Sequence, residues 1–386
     1  MGTKGINQNT RGNILLVANY ASDVGYAWHF IEELWIAISK TFDEKGRKCI
    51  LVYPAIHGVS DRIAGSSIEV RQYDFSDKAH ASQVELLKLI KENNTRSIYL
   101  TDKALIDVRY LQLRLMGVRN IVLHDHTPGE RSAPPLIKRI AKKAIHKAGI
   151  FSCTHYIGVS KFVYNRFVTS GCVPADKCSY VCNGIRPIVR EKQYANYVRE
   201  VFHIPENETI VITTGRATYY KGLDFIIRCA AEIIHEHNHK NIRFIHCGDG
   251  PDLNALGALA RDLNVEDHVI FAGRRNDIEQ LLQSSDIAVQ ASKGEAFSLS
   301  ILEYMSAGLA TVVPDHCANG EAIRNGYNGI LYEPGDSQGF VNAIIGLADD
   351  RPMRKYLGEN ASKTILEKFD QEIMKKEFRN LIEKVL

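Results

Sequence analysis

Short runs rich in isoleucine, valine and leucine alternate with longer amphipathic segments along this chain, and the series occurs twice. The first is NILLVAN, KCILVYP, SIYLTD, NIVLHDH and HYIGVS; the second is TIVITTG, IRFIHCG, HVIFAG, DIAVQAS and ATVVPD. Strand-length apolar runs separated by helical stretches predict parallel sheets with crossover helices. A chain of 386 residues also exceeds the length at which a single core usually stops growing. Two doubly wound α/β units in succession are expected.

Their junction is expected inside residues 183–208, which are polar and charged and lack strand alternation. The expected division is residues 1–190, residues 191–368, and a helix over residues 369–386 that crosses back to the first domain. Composition mainly excludes. With 45% hydrophobic and 24% charged residues the chain is ordinary and globular, and a formal charge of +3 is too small to argue for nucleic acid. MGTKGINQNTRGNILLVANY lacks the layout of a secretion signal, and Ile6 stands where a myristoylation pattern needs Ser or Thr. No apolar run approaches the roughly 18 residues of a membrane span. A cytoplasmic protein is expected, with its eight cysteines as free thiols, since Cys172, Cys178 and Cys182 lack the close pairs of structural zinc.

Ligands of open α/β sheets bind outside the carboxyl ends of the strands. Two such sheets facing one another would line a cleft with strand-to-helix loops. After IVITTG come Arg216 and Lys221, flanked by Gly215 and Gly222. A guanidinium that can fork onto oxygens and an ammonium point charge suit a diphosphate; the plain alternative is a turn with two solvated cations. HCGDGPD resembles a dinucleotide loop through Gly248 and Gly250, but Leu253 occupies the place of the third glycine. No D-x-D occurs, which argues against a Mg²⁺ or Mn²⁺ clamp.

GEAFSLSILEYMSAG carries Glu295 and Glu303. On one continuous helix they would stand about 80° apart and roughly 12 Å apart along the axis, a poor arrangement for joint work. A helix starting near Phe297 or Ser298 leaves Glu295 in the loop and removes the objection. Glu303 then has two readings: a ligand contact, or the acidic member of a capping box opened by Ser300. The N–H groups of Phe297, Ser298 and Leu299 at the helix start offer positive potential to an anion.

GRATYYKGLD, HCGDGP, VIFAGRRNDI, KGEAFSLSILEYMSAGLATVVPD and NGYNGILYEPGD together resemble the C-terminal domain of the family 4 retaining glycosyltransferases, which have the GT-B fold; residues 157–185 resemble the end of that family's N-terminal domain. The resemblance implies an acceptor-binding first domain and a donor-binding second domain, both Rossmann-like. It implies transfer of a hexose-type sugar from a nucleotide-diphosphate sugar, with retention, without metal or cofactor, to a glycan or lipid-linked acceptor. It assigns Arg216, Lys221 and the helix start at Phe297, Ser298 and Leu299 to the donor diphosphate, and Glu303 to the ribose. Glu295 falls to the sugar, with Ala296 where a glycine is frequent. In the first domain Gly25 stands where the family has a glycine pair beside the phosphates. His124, with His126 close behind, stands where relatives carry an active-site histidine near the sugar. Two other outcomes stay open: a sugar-nucleotide epimerase of the same fold, and a non-catalytic nucleotide-sugar binding subunit.

PPLIKRIAKKAIHKAGI, residues 134–150, is separately notable. Leu136, Ile137, Ile140, Ala144 and Ile145 form one helical face and Lys138, Arg139, Lys142, Lys143 and Lys147 crowd elsewhere. Such a helix either rests on an anionic membrane or turns its apolar face to the core.

Overall fold

The computed structural model describes residues 12–24, 26–77 and 79–386; Gly25 lies outside the described residues. Of the described residues, those up to 127 together with 131–181 and 375–386 make one compact unit, and residues 128–130 and 182–374 make a second. The chain thus leaves the first unit after Val181, earlier than residue 190, and returns to it at Lys375, later than residue 369.

Among the described residues the first unit holds seven strands: β1 (Asn13–Val17), β2 (Cys49–Tyr53), β3 (Glu69–Gln72), β4 (Thr95–Thr101), β5 (Asn120–Asp125), β6 (His155–Gly158) and β7 (Cys178–Tyr180). They lie in the order β3-β2-β1-β4-β5-β6-β7, and every pairing is parallel. The second unit holds β8 (Thr209–Thr214), β9 (Ile242–Cys247), β10 (Val269–Phe271), β11 (Ile287–Val289), β12 (Ala310–Pro314) and β13 (Ile330–Tyr332). Their order is β10-β9-β8-β11-β12-β13, again all parallel. Counted from its own first strand, the second sheet has the doubly wound order 3-2-1-4-5-6 and the first has the same order extended by a seventh strand, with the direction of winding reversing between β1 and β4 and between β8 and β11.

The apolar runs become strands because helices cover both faces. Every residue of β2 and of β8 is buried. In the helix Leu223–His235 the buried residues include Leu223, Ile226, Ile227, Ala230, Ile233 and Ile234, a stripe at helical spacing that joins β8, β9 and β11 in one core.

The two stretches of chain that lead between the units are pinned side by side. Ile185 N–H donates to the Phe369 carbonyl at 2.9 Å, and Gln371 N–H donates to the Ile185 carbonyl at 2.9 Å. Gly184 must be small here, since a Cβ would lie 2.8 Å from that of Met374. Beyond this point the helix Gln371–Val385 enters the first unit. Phe378 and Ile382 are fully buried there, and Lys375 Nζ pairs with Glu33 at 2.9 Å.

Candidate functional site

In the second sheet the winding reverses between β8 and β11, so the loops after these strands flank the crevice where such sheets bind ligands. Three consecutive residues of the first loop each hold the second. The Tyr220 carbonyl accepts from Lys293 N–H at 2.9 Å while its hydroxyl donates to the Gly294 carbonyl at 2.9 Å. Lys221 Nζ meets Glu295 Oε1 at 2.7 Å, with side chains 27% and 12% exposed. Gly222 has φ +71°, and a Cβ there would lie 2.1 Å from the Ala291 carbonyl oxygen. Glycine is required at that position both by its backbone and by its neighbour.

The loop after β8 also leans on the loop after β9. Ala217 N–H donates to the Asp249 carbonyl, Asp252 N–H to the Ala217 carbonyl, and Tyr219 N–H to Asp252 Oδ2 at 2.9 Å. A Cβ on Gly248 would lie 1.8 Å from the Gly215 oxygen and one on Gly250 2.4 Å from the Ala217 oxygen. The glycines that give HCGDGPD its dinucleotide look therefore serve close backbone packing. His246 Nε2 meets the Gly215 carbonyl at 3.0 Å, which fixes the proton on Nε2; burial lowers its pKa to about 4, so the ring is neutral.

The helix of the second loop spans Leu299–Ser306, slightly later than expected, with Ser298 as its cap accepting from Ile301 N–H at 3.4 Å. Ser300 is thus inside the first turn and opens no capping box. Glu303, five residues past the cap and half-buried, stands beyond the position a box uses. The N–H groups of Phe297, Ser298 and Leu299 have no protein acceptor among the described residues. Arg216 is exposed and makes no ion pair among the described residues.

Residues that sequence reasoning missed fix this loop. Asn183 Nδ2 donates to the Phe297 carbonyl at 2.9 Å, and the Phe297 ring packs on Phe369 with centroids 5.4 Å apart. Tyr304 accepts from Thr214 N–H at 2.7 Å and pairs with the Thr214 hydroxyl at 3.0 Å, tying the helix to the end of β8. Burial pushes the Tyr304 hydroxyl up to about 12, so it keeps its proton. Ala296 is buried. Beside Gly294, the donor atoms of Glu130, His316 and Cys317 lie within 4.8 Å of one another, a group with the chemistry of a metal site.

In the first unit the triplet His124, Asp125 and His126, the last two residues of β5 and the one after it, separates into two functions. Asp125 points to one side, where it pairs with Arg166 at 3.1 Å and accepts from both N–H and hydroxyl of Thr127. His124 and His126 share the other side with ring centroids 4.2 Å apart. His124 is 2% exposed, stacks on Phe378, and meets the Tyr99 hydroxyl through Nδ1 at 2.5 Å. Burial, and then its neighbour His126, hold its pKa well below the usual histidine value. His126 Nδ1 faces Asp102 Oδ1 at 3.3 Å. The Nε2 atoms of both rings are buried and have no partner among the described residues.

Residues 197–364 match the family described as glycosyl transferases group 1. The N-acetyl-alpha-D-glucosaminyl L-malate synthase of Bacillus anthracis is 28% identical over 206 residues, 53% of each chain. The UDP-Gal:alpha-D-GlcNAc-diphosphoundecaprenol alpha-1,3-galactosyltransferase of Escherichia coli is 28% identical over 172 residues, 44% of each chain. The chain therefore aligns with about half the length of these curated relatives. Among solved structures, a glycosyltransferase from Rickettsia africae ESF-5 has a TM-score of 0.78 at 17% identity, covering 97% of this chain and 98% of that one. Anabaena Alr3699/HepE in complex with UDP has a TM-score of 0.76 at 21% identity, covering 96% and 100%. The two parallel sheets and these likenesses define a GT-B fold.

Proposed function

We propose that this chain, whose residues 197–364 are a group 1 glycosyltransferase domain within a GT-B fold, moves a hexose-type sugar from a nucleotide-diphosphate donor to a glycan or lipid-linked acceptor with retention and without metal. The observation that carries the reading is the convergence of Lys221, Glu295 and the unsatisfied N–H groups of Phe297, Ser298 and Leu299 at the point where the second sheet reverses its winding. Departure of the sugar puts positive charge on the anomeric carbon and negative charge on the leaving phosphate. Arg216, Lys221 and the helix start are pre-aimed donors for that negative charge, and preorganised donors often supply the largest catalytic term. Glu295 holds the sugar hydroxyls and keeps Lys221 oriented, while Glu303 holds the ribose. The Nε2 atoms of His124 and His126, which have no partner among the described residues, are assigned to a sugar hydroxyl.

In the retaining step the anomeric carbon loses its bond to the diphosphate oxygen and gains one to the acceptor oxygen on the same face. The acceptor proton passes to an oxygen of the departing phosphate. No carboxylate needs to become acid or base.

A thermal-shift screen of UDP, GDP, ADP and their sugars identifies the donor, since a ligand of the native state raises its stability; UDP comes first because Alr3699/HepE binds it. With that donor, Lys221→Ala and Glu295→Ala each abolish transfer while circular dichroism stays native. Full activity in either variant sinks the assignment. Transfer that survives EDTA supports the metal-free mechanism; loss restored by a divalent ion overturns it and directs attention to Glu130, His316 and Cys317. The helix Leu136–Ala148 supports docking on an anionic membrane, because Leu136, Ile137 and Ile140 are 71%, 83% and 60% exposed.

A further inference from the structure

The helix Leu136–Ala148 is mounted the reverse of an ordinary surface helix. Its apolar residues face outward, while the groups that attach it are polar: Lys142 Nζ donates to the Ser170 carbonyl at 3.0 Å, and His146, its one buried residue, meets the Gly171 carbonyl through Nε2 at 3.2 Å. Behind it lies a cavity of about 90 Å³ in the first unit, lined by Asp125, Arg131, Ser132, Lys142, Arg166 and Ser170 among others. That is room for several waters or one tetrahedral oxyanion.

The charges around this cavity do not balance. Asp125 neutralises Arg166, and both of its oxygens are already used, Oδ2 by Arg166 and Oδ1 by Thr127. Arg131 and Arg166 nevertheless converge on one atom, the Thr127 hydroxyl oxygen, at 3.0 and 3.2 Å. Lys142 is drawn toward the same place, because the Ser170 carbonyl that it bonds belongs to the residue whose hydroxyl donates to the Arg131 carbonyl at 2.5 Å. Three cations and one carboxylate leave two positive charges, and residues 131–150 contain no Asp or Glu to offset them. Converging guanidinium and ammonium donors with hydroxyls alongside are the recognition chemistry of a phosphoryl group.

We propose that this cavity binds a phosphate, carried either by a lipid at the membrane surface or by a soluble ligand. The donor site plays no part in the inference; only its lipid arm rests on the membrane reading of the helix. With a lipid headgroup, the exposed Leu136, Ile137 and Ile140 would enter the bilayer beside it.

The test uses the full chain at fixed ionic strength. Calorimetry with inorganic phosphate and pyrophosphate is expected to give saturable binding, weakened at least tenfold by Arg131→Gln or Lys142→Gln and unchanged by Lys138→Gln on the exposed face. Arg131 is exposed, so its variant keeps the test clear if Lys142→Gln loosens the helix. Co-sedimentation then compares vesicles of phosphatidic acid and of phosphatidylserine at matched surface charge. A preference for phosphatidic acid that Arg131→Gln removes supports a lipid carrier; phosphate binding in solution without that preference supports a soluble one. Absence of saturable phosphate binding, or equal weakening by Lys138→Gln, overturns the proposal.

Discussion

Gly222 offers a test in which the contributions of backbone and packing can be separated. Alanine at this position must hold φ +71°, a left-handed conformation that costs an L-residue roughly 1–2 kcal/mol. Its Cβ must also find room 2.1 Å from the Ala291 carbonyl oxygen, well short of the 3.4 Å at which ordinary contact begins. Because the obstacle is backbone, the two loops must separate, and overpacking of this kind costs about 1–3 kcal/mol. The two costs sum to about 2–5 kcal/mol, so Gly222→Ala is expected to destabilise the second unit by about 2–4 kcal/mol after the loss of unfolded-state freedom. Gly335 provides the control: φ is +82° with nothing within 4 Å of its Cβ, so Gly335→Ala carries the backbone cost alone, about 1 kcal/mol after the loss of unfolded-state freedom. Urea unfolding of both variants gives the difference. The same separation displaces Lys221 from Glu295, and misplacement by about 1 Å is worth on the order of 100-fold in rate. Equal destabilisation by the two substitutions, or undiminished transfer by Gly222→Ala, would refute the claim that the approach of Ala291 is what demands glycine.

Glu303→Gln is expected to raise the KM for the donor with little change in kcat, the signature of lost binding common to ground and transition states; an unchanged KM removes the ribose role. Tyr304→Phe strands the Thr214 N–H in a buried place and should cost about 1–3 kcal/mol in urea unfolding, against none if the hydroxyl is incidental. His246 has a folded pKa of about 4 against an ordinary 6.5, so its contribution is intact above pH 6.5 and is lost as pH falls from there toward 4. Between pH 7 and pH 5 that amounts to about 2 kcal/mol, and a His246→Gln variant should show a correspondingly flatter profile.

Two parallel sheets were legible because apolar runs recur so regularly, but β3, β7 and β13, edge strands of three or four residues, are too short to show as such runs, and the order of the strands was not read. The residues that bear charge after β8 and β11 were legible too, since a sheet's ligand loops are known once its strands are. Contacts between distant residues were not. Lys221 and Glu295, 74 residues apart, were each read as facing a ligand, and nothing local indicates that they bond each other. Asn183 and Tyr304 carry no motif; only the folded loop reveals that one holds the Phe297 carbonyl and the other the end of β8. The capping box needed Ser300 as the helix cap, and the extended backbone at Ser298 makes that residue the cap instead. The helix Leu136–Ala148 displays the opposite limit: periodicity reveals a stripe, but cannot say which side the protein turns to water.

Residues 375–386 complete the first unit although the whole of the second precedes them in the chain. On the ribosome, then, the first unit is spelled out early and finished late. Its Tyr99 and His124 rings wait for Phe378, whose centroid comes to rest 6.3 and 5.7 Å from theirs, while the chain from 182 to 374 is made and can close on itself. Domains generally fold as units, from the N-terminus onward during synthesis. Here the second unit is the first whose residues are all available, and an interruption of synthesis anywhere before Phe378 leaves the first with an open seam.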